Sequence, residues 1–286
     1  MTPEQLRTAL ERWNNLSGPD TQTHRTELLS TLRCFLQALS DGRIRAAMLD
    51  PDGSWRVQAW VKQGILLCFR VGQLSSIQLG EWQFTDLDLL PPRWFRPDDR
   101  VRLVPGGSTV RTGAYIAPTV ICMPPMYINV GAYVDEGTMV DSHALIGSCA
   151  QIGKRVHVSA GAQIGGVLEP PMARPVIIED EVLIGANCGL FEGVLVRRRA
   201  VIAAGVQLTA TTPVYDLVLE RILTGTPESP VEIPEAAVVV PGTRLLRSEF
   251  AQAHGLGMAT PLIVKYRDSQ TDARTALEEA LRAMFR

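Results

Sequence analysis

Aliphatic or small apolar residues recur at every sixth position through the middle of the chain. The series starts at Val110, is interrupted after Ile164, and continues with the same spacing from Ile178 to Val214. Its members are Val110, Ile116, Cys122, Ile128, Val134, Val140, Ile146, Ile152, Val158, Ile164, Ile178, Ile184, Leu190, Val196, Ile202, Leu208 and Val214. A six-residue period is typical of a solenoid with three short strands per coil, in which each inward residue stacks on the one three repeats later. The pattern therefore predicts a mainly β fold, a left-handed parallel β-helix.

The interruption of the series predicts a loop. Ile164 and Ile178 are separated by two residues more than two full repeats. The proline-rich segment 166–175 should therefore leave the helix as a projecting loop, and such loops often carry functional residues. Glycines such as Gly131 and Gly161 fall at the predicted corners, where a positive φ or a close backbone approach is needed.

The segments on either side of the repeat predict two smaller units. Helices are predicted from Thr2 or Pro3 to Trp13 and over 27–39, and strands over 44–49, 55–61 and 64–69. The stretch 77–99 is interpreted as a packed linker. Beyond the repeat, strands are predicted over 237–240, 245–246 and 261–266, with a closing helix over 272–285. We expect an N-terminal α+β domain and linker over 1–100, the β-helix over 101–216, and a small C-terminal β/α cap over 217–286.

Composition narrows the class of protein. The 286 residues carry a formal net charge of -2, which gives no sign of a nucleic-acid partner. The N-terminus is polar where a signal peptide would be apolar, and no apolar run is long enough to span a membrane. Five cysteines without metal-like spacing indicate reduced thiols, so a cytoplasmic location is expected.

Three function classes fit a helix of this kind: acyl transfer from coenzyme A or an acyl carrier protein, zinc-dependent carbonic anhydrase chemistry, and non-catalytic scaffolding. The zinc class needs three imidazoles, and the repeat region contains only His143 and His157. We therefore expect no metal. Fold alone does not decide between acyl transfer and scaffolding.

One stretch of the repeat region has a sequence more specific than the six-residue repeat alone requires. Residues 131–153 read GAYVDEGTMVDSHALIGSCAQIG, which closely resembles the tetrahydrodipicolinate N-succinyltransferases of the lysine and diaminopimelate pathway. The resemblance continues through 165–170, 177–180 and 192–194, and more weakly at 60–62, 66–70 and 263–265. It implies a homotrimeric CoA-dependent N-acyltransferase with intersubunit sites. Such an enzyme transfers succinyl from succinyl-CoA to the amino group of 2-amino-6-oxopimelate, with no covalent acyl-enzyme.

The resemblance also implies site residues. Asp141 matches the position associated with the substrate amine, where a carboxylate can orient the amine and accept its proton. Arg102 matches an arginine that binds a substrate carboxylate, and Glu169 borders the site from the loop. Their structural alternatives are a turn aspartate, a surface charge and a loop anchor. His157 also matches the family and is interpreted as part of the wall or core.

Three positions depart from the family. Gly189 stands where the family carries a glutamate beside the amine, Asn187 replaces an arginine, and His143 replaces a tryptophan. Losing a carboxylate and a cation while gaining an imidazole indicates a changed substrate or a changed proton acceptor. We therefore predict a catalytic role for His143 in the altered pocket, with a structural hydrogen-bonding role as the alternative.

Cofactor contacts in such helices come largely from backbone groups along the corners. Gly165, Gly166, Ala204 and Gly205 are the candidates for binding succinyl-CoA or acetyl-CoA, and ordinary corner geometry is their alternative explanation. Cys188 is interpreted as pocket lining. Two further functions stay open: a specialised relative that acylates a related amino acid with acetyl- or succinyl-CoA, as in tabtoxin biosynthesis, and a trimeric scaffold without chemistry.

Overall fold

The N-terminal part of the chain folds into helices and two hairpins. The structure is a computed structural model that describes residues 1–14, 23–268 and 273. The helices are α1 (Pro3–Asn14), α2 (Arg25–Ser40) and α3 (Ala59–Val71), and the hairpins are β1 (Ala47–Leu49) with β2 (Trp55–Val57) and β3 (Leu74–Leu79) with β4 (Trp82–Leu87). The two helices predicted from the first forty residues are confirmed.

The strand predicted over 64–69 is wrong, because these residues belong to α3. Val61, Ile65 and Cys68 are fully buried at helical spacing, but the surrounding apolar run conceals that period in the sequence. The strands predicted over 44–49 and 55–61 are confirmed only as the shorter β1 and β2. The predicted linker over 77–99 contains most of the β3–β4 hairpin, which turns at Gly80 with a φ of 63°.

The middle of the chain forms three sheets of short parallel strands. After a 3-10 turn (Pro97–Asp99), the chain visits the sheets in rotation. Sheet 1 contains β5 (Arg102–Leu103), β8 (Ile121–Cys122), β11 (Met139–Val140), β14 (His157–Val158), β17 (Leu183–Ile184), β20 (Val201–Ile202) and β25 (Ala237–Leu245). Sheet 2 contains β6 (Thr109–Val110), β9 (Tyr127–Ile128), β12 (Leu145–Ile146), β15 (Gln163–Ile164), β18 (Gly189–Leu190) and β21 (Gln207–Leu208). Sheet 3 contains β7 (Tyr115–Ile116), β10 (Tyr133–Val134), β13 (Gln151–Ile152), β16 (Ile177–Ile178), β19 (Leu195–Val196) and β24 (Glu232–Ile233).

The six-residue series forms the core of this winding. Every member is at most 5% exposed, and all but Val214 take the second, inward position of a strand. Val134 pairs with Ile152, which pairs with Ile178 in the next coil, so the inward residues stack in columns. The predicted hexapeptide-repeat winding of parallel strands is therefore confirmed. The segment 166–175 lies between β15 and β16 and contains no strand.

The winding continues past residue 216. A short hairpin, β22 (Val214–Asp216) with β23 (Arg221–Leu223), interrupts the six-residue phase, after which β24 and β25 extend sheets 3 and 1. The strands predicted over 237–240, 245–246 and 261–266 belong to one long hairpin, in which β25 pairs with β26 (Gly257–Tyr266) across α4 (Glu249–Ala253). The helix predicted over 272–285 falls outside the described residues except for residue 273. None of the described helices has the length and apolar character needed to span a membrane.

The N-terminal unit covers the outer face of sheet 3. The indole Nε1 of Trp55 donates to Glu179 Oε1 at 2.9 Å, and the Arg45 guanidinium lies 3.6 Å from the centre of the Tyr133 ring. On sheet 2, by contrast, outward residues such as Gln163 stay partly exposed. The corner between sheets 1 and 2 is therefore left accessible.

Candidate active site

Four of the predicted site residues lie on one edge of the prism. The chain turns from sheet 1 to sheet 2 through stacked tripeptides, and we call this edge the 1–2 corner. Its levels are 141–143, 159–161, 185–187 and 203–205. The third residues all have positive φ: His143 at 62°, Gly161 at 70°, Asn187 at 55° and Gly205 at 79°. Asp141, His143, Ala204 and Gly205 thus share one edge, spread over three coil spacings or about 14 Å.

Backbone hydrogen bonds hold the levels of this corner in register. Gly161 N donates to Ser142 O at 2.9 Å, and Gly205 N donates to Ala186 O at 2.9 Å. The N–H of His143 donates to Pro125 O one level below. The corner is therefore a rigid backbone ladder, on which side chains keep fixed positions relative to one another.

The carboxylate of Asp141 turns from the corner towards sheet 1. Its Oδ1 accepts a hydrogen bond from Ser142 N at 2.7 Å, and its side chain is 31% exposed. Its Oδ2 lies 3.6 Å from Nε2 of His157, the outward residue of the next strand in sheet 1. An anionic group at a partly exposed edge can orient a cationic or neutral amine and accept its proton.

The prediction for His157 missed this proximity to Asp141. The inward position of Val158, one coil above Val140, places His157 on the outer face immediately above the turn that contains Asp141. The spacing in the sequence could have predicted this contact. One coil has 18 residues, so residues 16 apart, such as Asp141 and His157, lie close together on neighbouring coils. Nε2 of His157 is buried and has no hydrogen-bond partner among the described residues.

His143 projects from the same turn into solvent. Its side chain is exposed, and its carbonyl lies 3.5 Å from Nε2 of Gln163 on sheet 2. Within the described part of the chain, no hydrogen bond joins the side chains of His143 and Asp141. The structure brings the two predicted catalytic residues to one turn without joining their side chains within the described residues.

The wall beside this corner has a glycine, Gly189, at the position where the resemblance led us to expect a glutamate. A Cβ atom at Gly189 would lie 2.1 Å from Gln207 Oε1 and 2.4 Å from the Phe191 ring, so these side chains fill the space. The Gln207 amide donates from Nε2 to Asn187 O at 3.0 Å. The Oδ1 atom of Asn187 in turn lies over the backbone of Gly161.

Arg102 lies on sheet 1, two strands from the turn of Asp141. Its strand, β5, pairs with β8, which pairs with β11 immediately before Asp141. Two strand spacings amount to about 10 Å. The Arg102 side chain is exposed, so it is on the same sheet as Asp141 without contacting it.

Gly165, Gly166 and Glu169 lie at the other edge of sheet 2. A Cβ at Gly147 would come 2.2 Å from Gly166 N, which shows how closely the backbones stack here. Glu169 is exposed in the loop, and Lys62 Nζ fastens that loop to the N-terminal unit by donating to Ala173 O at 2.6 Å. Within one chain, the width of sheet 2 separates these residues from the 1–2 corner.

Cys188 is close to this corner but is not a nucleophile in this environment. Its side chain is buried, and its Sγ donates to Ala203 O at 3.0 Å. Burial raises the pKa of the Cys188 thiol to about 11, so the thiol stays protonated at neutral pH. Within the described part of the chain, no group of three or more His, Cys, Asp or Glu side chains could hold a metal ion.

Comparison with known proteins places the chain in a family. Residues 5–71 match the model for the tetrahydrodipicolinate N-succinyltransferase N-terminal region, and residues 175–210 match the model for the hexapeptide repeat of succinyl-transferase. The 2,3,4,5-tetrahydropyridine-2,6-dicarboxylate N-succinyltransferase of Bradyrhizobium diazoefficiens is 45% identical, with 93% of each chain covered. The protein of the same name from Rhodopseudomonas palustris BisA53 is 42% identical, with 90% of each chain covered.

A solved structure also matches. It is that of a putative 2,3,4,5-tetrahydropyridine-2-carboxylate N-succinyltransferase from Campylobacter jejuni, at a TM-score of 0.46 and 16% identity, covering 82% of this chain and 62% of that one. The identity to the sequence relatives extends through both flanks as well as the repeat. The chain therefore belongs to the 2,3,4,5-tetrahydropyridine-2,6-dicarboxylate N-succinyltransferase family.

Proposed function

We propose that this chain is a CoA-dependent N-acyltransferase of lysine and diaminopimelate biosynthesis. It transfers succinyl from succinyl-CoA to the amino group of 2-amino-6-oxopimelate, the open-chain form of tetrahydrodipicolinate. The observation that carries the proposal is the position of Asp141, a carboxylate on the same backbone ladder as the open corner residues Ala204 and Gly205. Relatives named for this reaction match the chain over at least nine-tenths of its length.

The reaction proceeds by direct attack in a ternary complex. The neutral amine forms a C–N bond at the thioester carbonyl carbon, the C–S bond breaks, and coenzyme A leaves as a thiol with the proton that the amine loses. Asp141 orients the amine and takes up that proton on its way, and His143 lies at the same turn as a second proton acceptor. A covalent acyl-enzyme is not needed, and the buried, protonated Cys188 fits that scheme.

The acyl-CoA follows the 1–2 corner. A Cβ at Gly205 would meet nothing within 4 Å, and Ala204 is exposed with a backbone N–H that makes no hydrogen bond within the described residues. Such a group can bind the amide carbonyls of a pantetheine arm or the oxygen of a thioester. Beside it, a cleft of about 220 Å³ is lined by Gly205, Gln207 and Thr260.

The complete site requires a second subunit, because the residues implied by the family lie on two edges of one prism. We propose a homotrimer of left-handed β-helices in which Gly165, Gly166 and the Glu169 loop of one subunit face the 1–2 corner of its neighbour. Arg102 then binds a substrate carboxylate at the start of sheet 1. Light scattering should give a mass close to three times 31.3 kDa, and a monomer would contradict this part of the proposal.

The proposal also covers the division into domains, the location in the cell and the alternative functions. The predicted division into 1–100, 101–216 and 217–286 assigns catalysis to the middle part, although β24 and β25 extend the winding beyond residue 216. A cytoplasmic location agrees with five free cysteines, since thiols persist unpaired in a reducing compartment. The alternatives of a specialised relative and of an inactive scaffold are not favoured, because relatives that match at least nine-tenths of the chain are named as succinyltransferases.

The test is a thiol-release assay on the purified chain that crosses succinyl-CoA and acetyl-CoA with tetrahydrodipicolinate, L-2-aminopimelate and other amino acids. We expect turnover with succinyl-CoA and tetrahydrodipicolinate. Activity confined to acetyl-CoA or to another amine would contradict the proposed pair of substrates. That result would agree with a pocket altered by the uncharged wall at Gly189. No release with any pair would overturn the enzymatic assignment.

A further inference from the structure

The imidazole of His157 carries a polar atom that forms no hydrogen bond to the described residues. Its Nε2 is buried and lacks a hydrogen-bond partner among the described residues. A buried donor or acceptor without a partner lowers stability, and its presence in a folded protein calls for a functional explanation. The atom nearest to satisfying it is Oδ2 of Asp141, at 3.6 Å, which is just beyond hydrogen-bond range.

Among the described residues, the Asp141 carboxylate lies within salt-bridge distance of the His157 imidazole. Along the outer face of sheet 1, the residues paired with it are Met139 below and Leu183 above, both apolar. Arg102 is three strands below, beyond Ile121 and Met139. Of the charged groups on the elements packed against the imidazole within the described residues, Asp141 is the one in reach.

We infer that His157 is a positioning residue for Asp141, and that the two side chains close into a hydrogen-bonded pair when the amine substrate binds. The inference rests on the proposed function. A shift of under about 1 Å in the Asp141 side chain brings the atoms to bonding distance, and catalytic hydrogen bonds are often long before substrate binds. The Ser142 N–H already holds Oδ1, so the pair would fix both carboxylate oxygens and their direction.

The chemical consequence concerns the proton of the amine. A carboxylate fixed at both oxygens presents a defined lone pair to the incoming ammonium or amine. An imidazole paired with this carboxylate stabilises the charged form of the carboxylate and shares the proton of its neutral form. His157 therefore acts through Asp141 and touches no substrate atom itself.

Kinetics of the full-length protein test the inference. His157→Met removes the polar atom and suits the apolar column, whereas His157→Gln keeps a hydrogen-bonding group without titrating. We expect His157→Met to lower kcat about tenfold or more, with KM values within about threefold and no loss of thermal stability. His157→Gln should recover most of kcat but flatten its pH profile, and the exposed control His254→Gln should match the wild type.

A wild-type kcat in His157→Met, or a loss of activity that only follows a loss of thermal stability, would overturn the inference. A second measurement does not depend on turnover. In the protein labelled at its four histidines, adding L-2-aminopimelate should shift the NMR signal of His157 in the wild type but not in Asp141→Asn, and it should leave the signal of His254 unchanged. An unchanged His157 signal overturns the pairing. A wild type without succinyl transfer would instead refute the proposed function, and the NMR result would still decide the pairing.

Discussion

The side-chain amide of Gln207 lies directly over the backbone of Gly189. A Cβ at position 189 would come 2.1 Å from Gln207 Oε1, and Gln207 is held in place by its bond from Nε2 to Asn187 O. Gln207 therefore occupies the space that a side chain at position 189 would need, so the two positions of the pocket wall depend on each other.

Gly189→Ala should destabilise the protein because the new methyl group displaces Gln207 and presses on Phe191. We expect a loss of about 1–3 kcal/mol in the free energy of unfolding. In a Gln207→Ala background the same substitution should cost less, since one obstacle is gone. Denaturant unfolding of the four proteins measures this coupling, and an equal cost in both backgrounds would contradict the packing described.

The repeat could be predicted from the sequence because a single period governs every coil. Val110 to Val214 follow that period, and the inward column is what any solenoid of this type must bury. Helix α3 could not be predicted, because a helix buried on most sides has apolar residues all round and reads like a strand. Gly64, which looks like the start of a strand, allows α3 to pack closely on Phe35.

The candidate site could be predicted only in part, because the six-residue repeat determines where a residue lies but not where a polar side chain in a turn points. The positions of Asp141 and Gly205 on one edge follow from their places in the repeat. The direction of the Asp141 carboxylate, towards His157, depends on the Ser142 N–H bond to Oδ1. Lys62 binds the loop through Ala173 O, which is 111 residues further along the chain. A local sequence pattern cannot predict a contact between residues so far apart.

Ile164 and Gln163 offer a direct test of the inward and outward positions of one strand. Ile164 is fully buried in the column, while Gln163 faces outward and is partly exposed. Ile164→Ala should lower the free energy of unfolding by about 2–5 kcal/mol, because it leaves a cavity that stacked coils cannot close. Gln163→Ala is the matched control and should cost less than about 1 kcal/mol. Similar losses in denaturant unfolding would contradict the assigned orientation of the strand.

Lys62 should make stability depend on pH in alkaline solution. Its side chain is fully buried, and burial lowers the pKa of its ammonium from 10.5 to about 8. Between these values the unfolded chain binds the proton more tightly than the folded chain, so the free energy of unfolding rises as pH increases through this window. Below a pH of about 8 the full cost of burying the charge is present.

Lys62→Met should remove this dependence. The stability difference between variant and wild type is therefore expected to shift by about 2 kcal/mol in favour of the wild type between pH 7.5 and 10. Thermal or denaturant unfolding across that range measures it. Lys154→Met is the control, because Lys154 is exposed and Glu136 raises its pKa. A pH-independent difference for Lys62→Met would show that the buried amine is not titrating in this window.

Asp141 and Asp135 make the same local turn at different corners, which separates a structural role from a chemical one. Asp141 Oδ1 accepts from Ser142 N at 2.7 Å, and Asp135 Oδ1 accepts from Glu136 N at 2.8 Å. Asparagine can keep the accepting oxygen at either site, so both Asp→Asn variants should fold with nearly unchanged thermal stability. Asp141→Asn should lower kcat by about a hundredfold or more through loss of the proton acceptor, while Asp135→Asn should retain it. Equal activities of the two variants in the thiol-release assay would return Asp141 to the role of a turn residue.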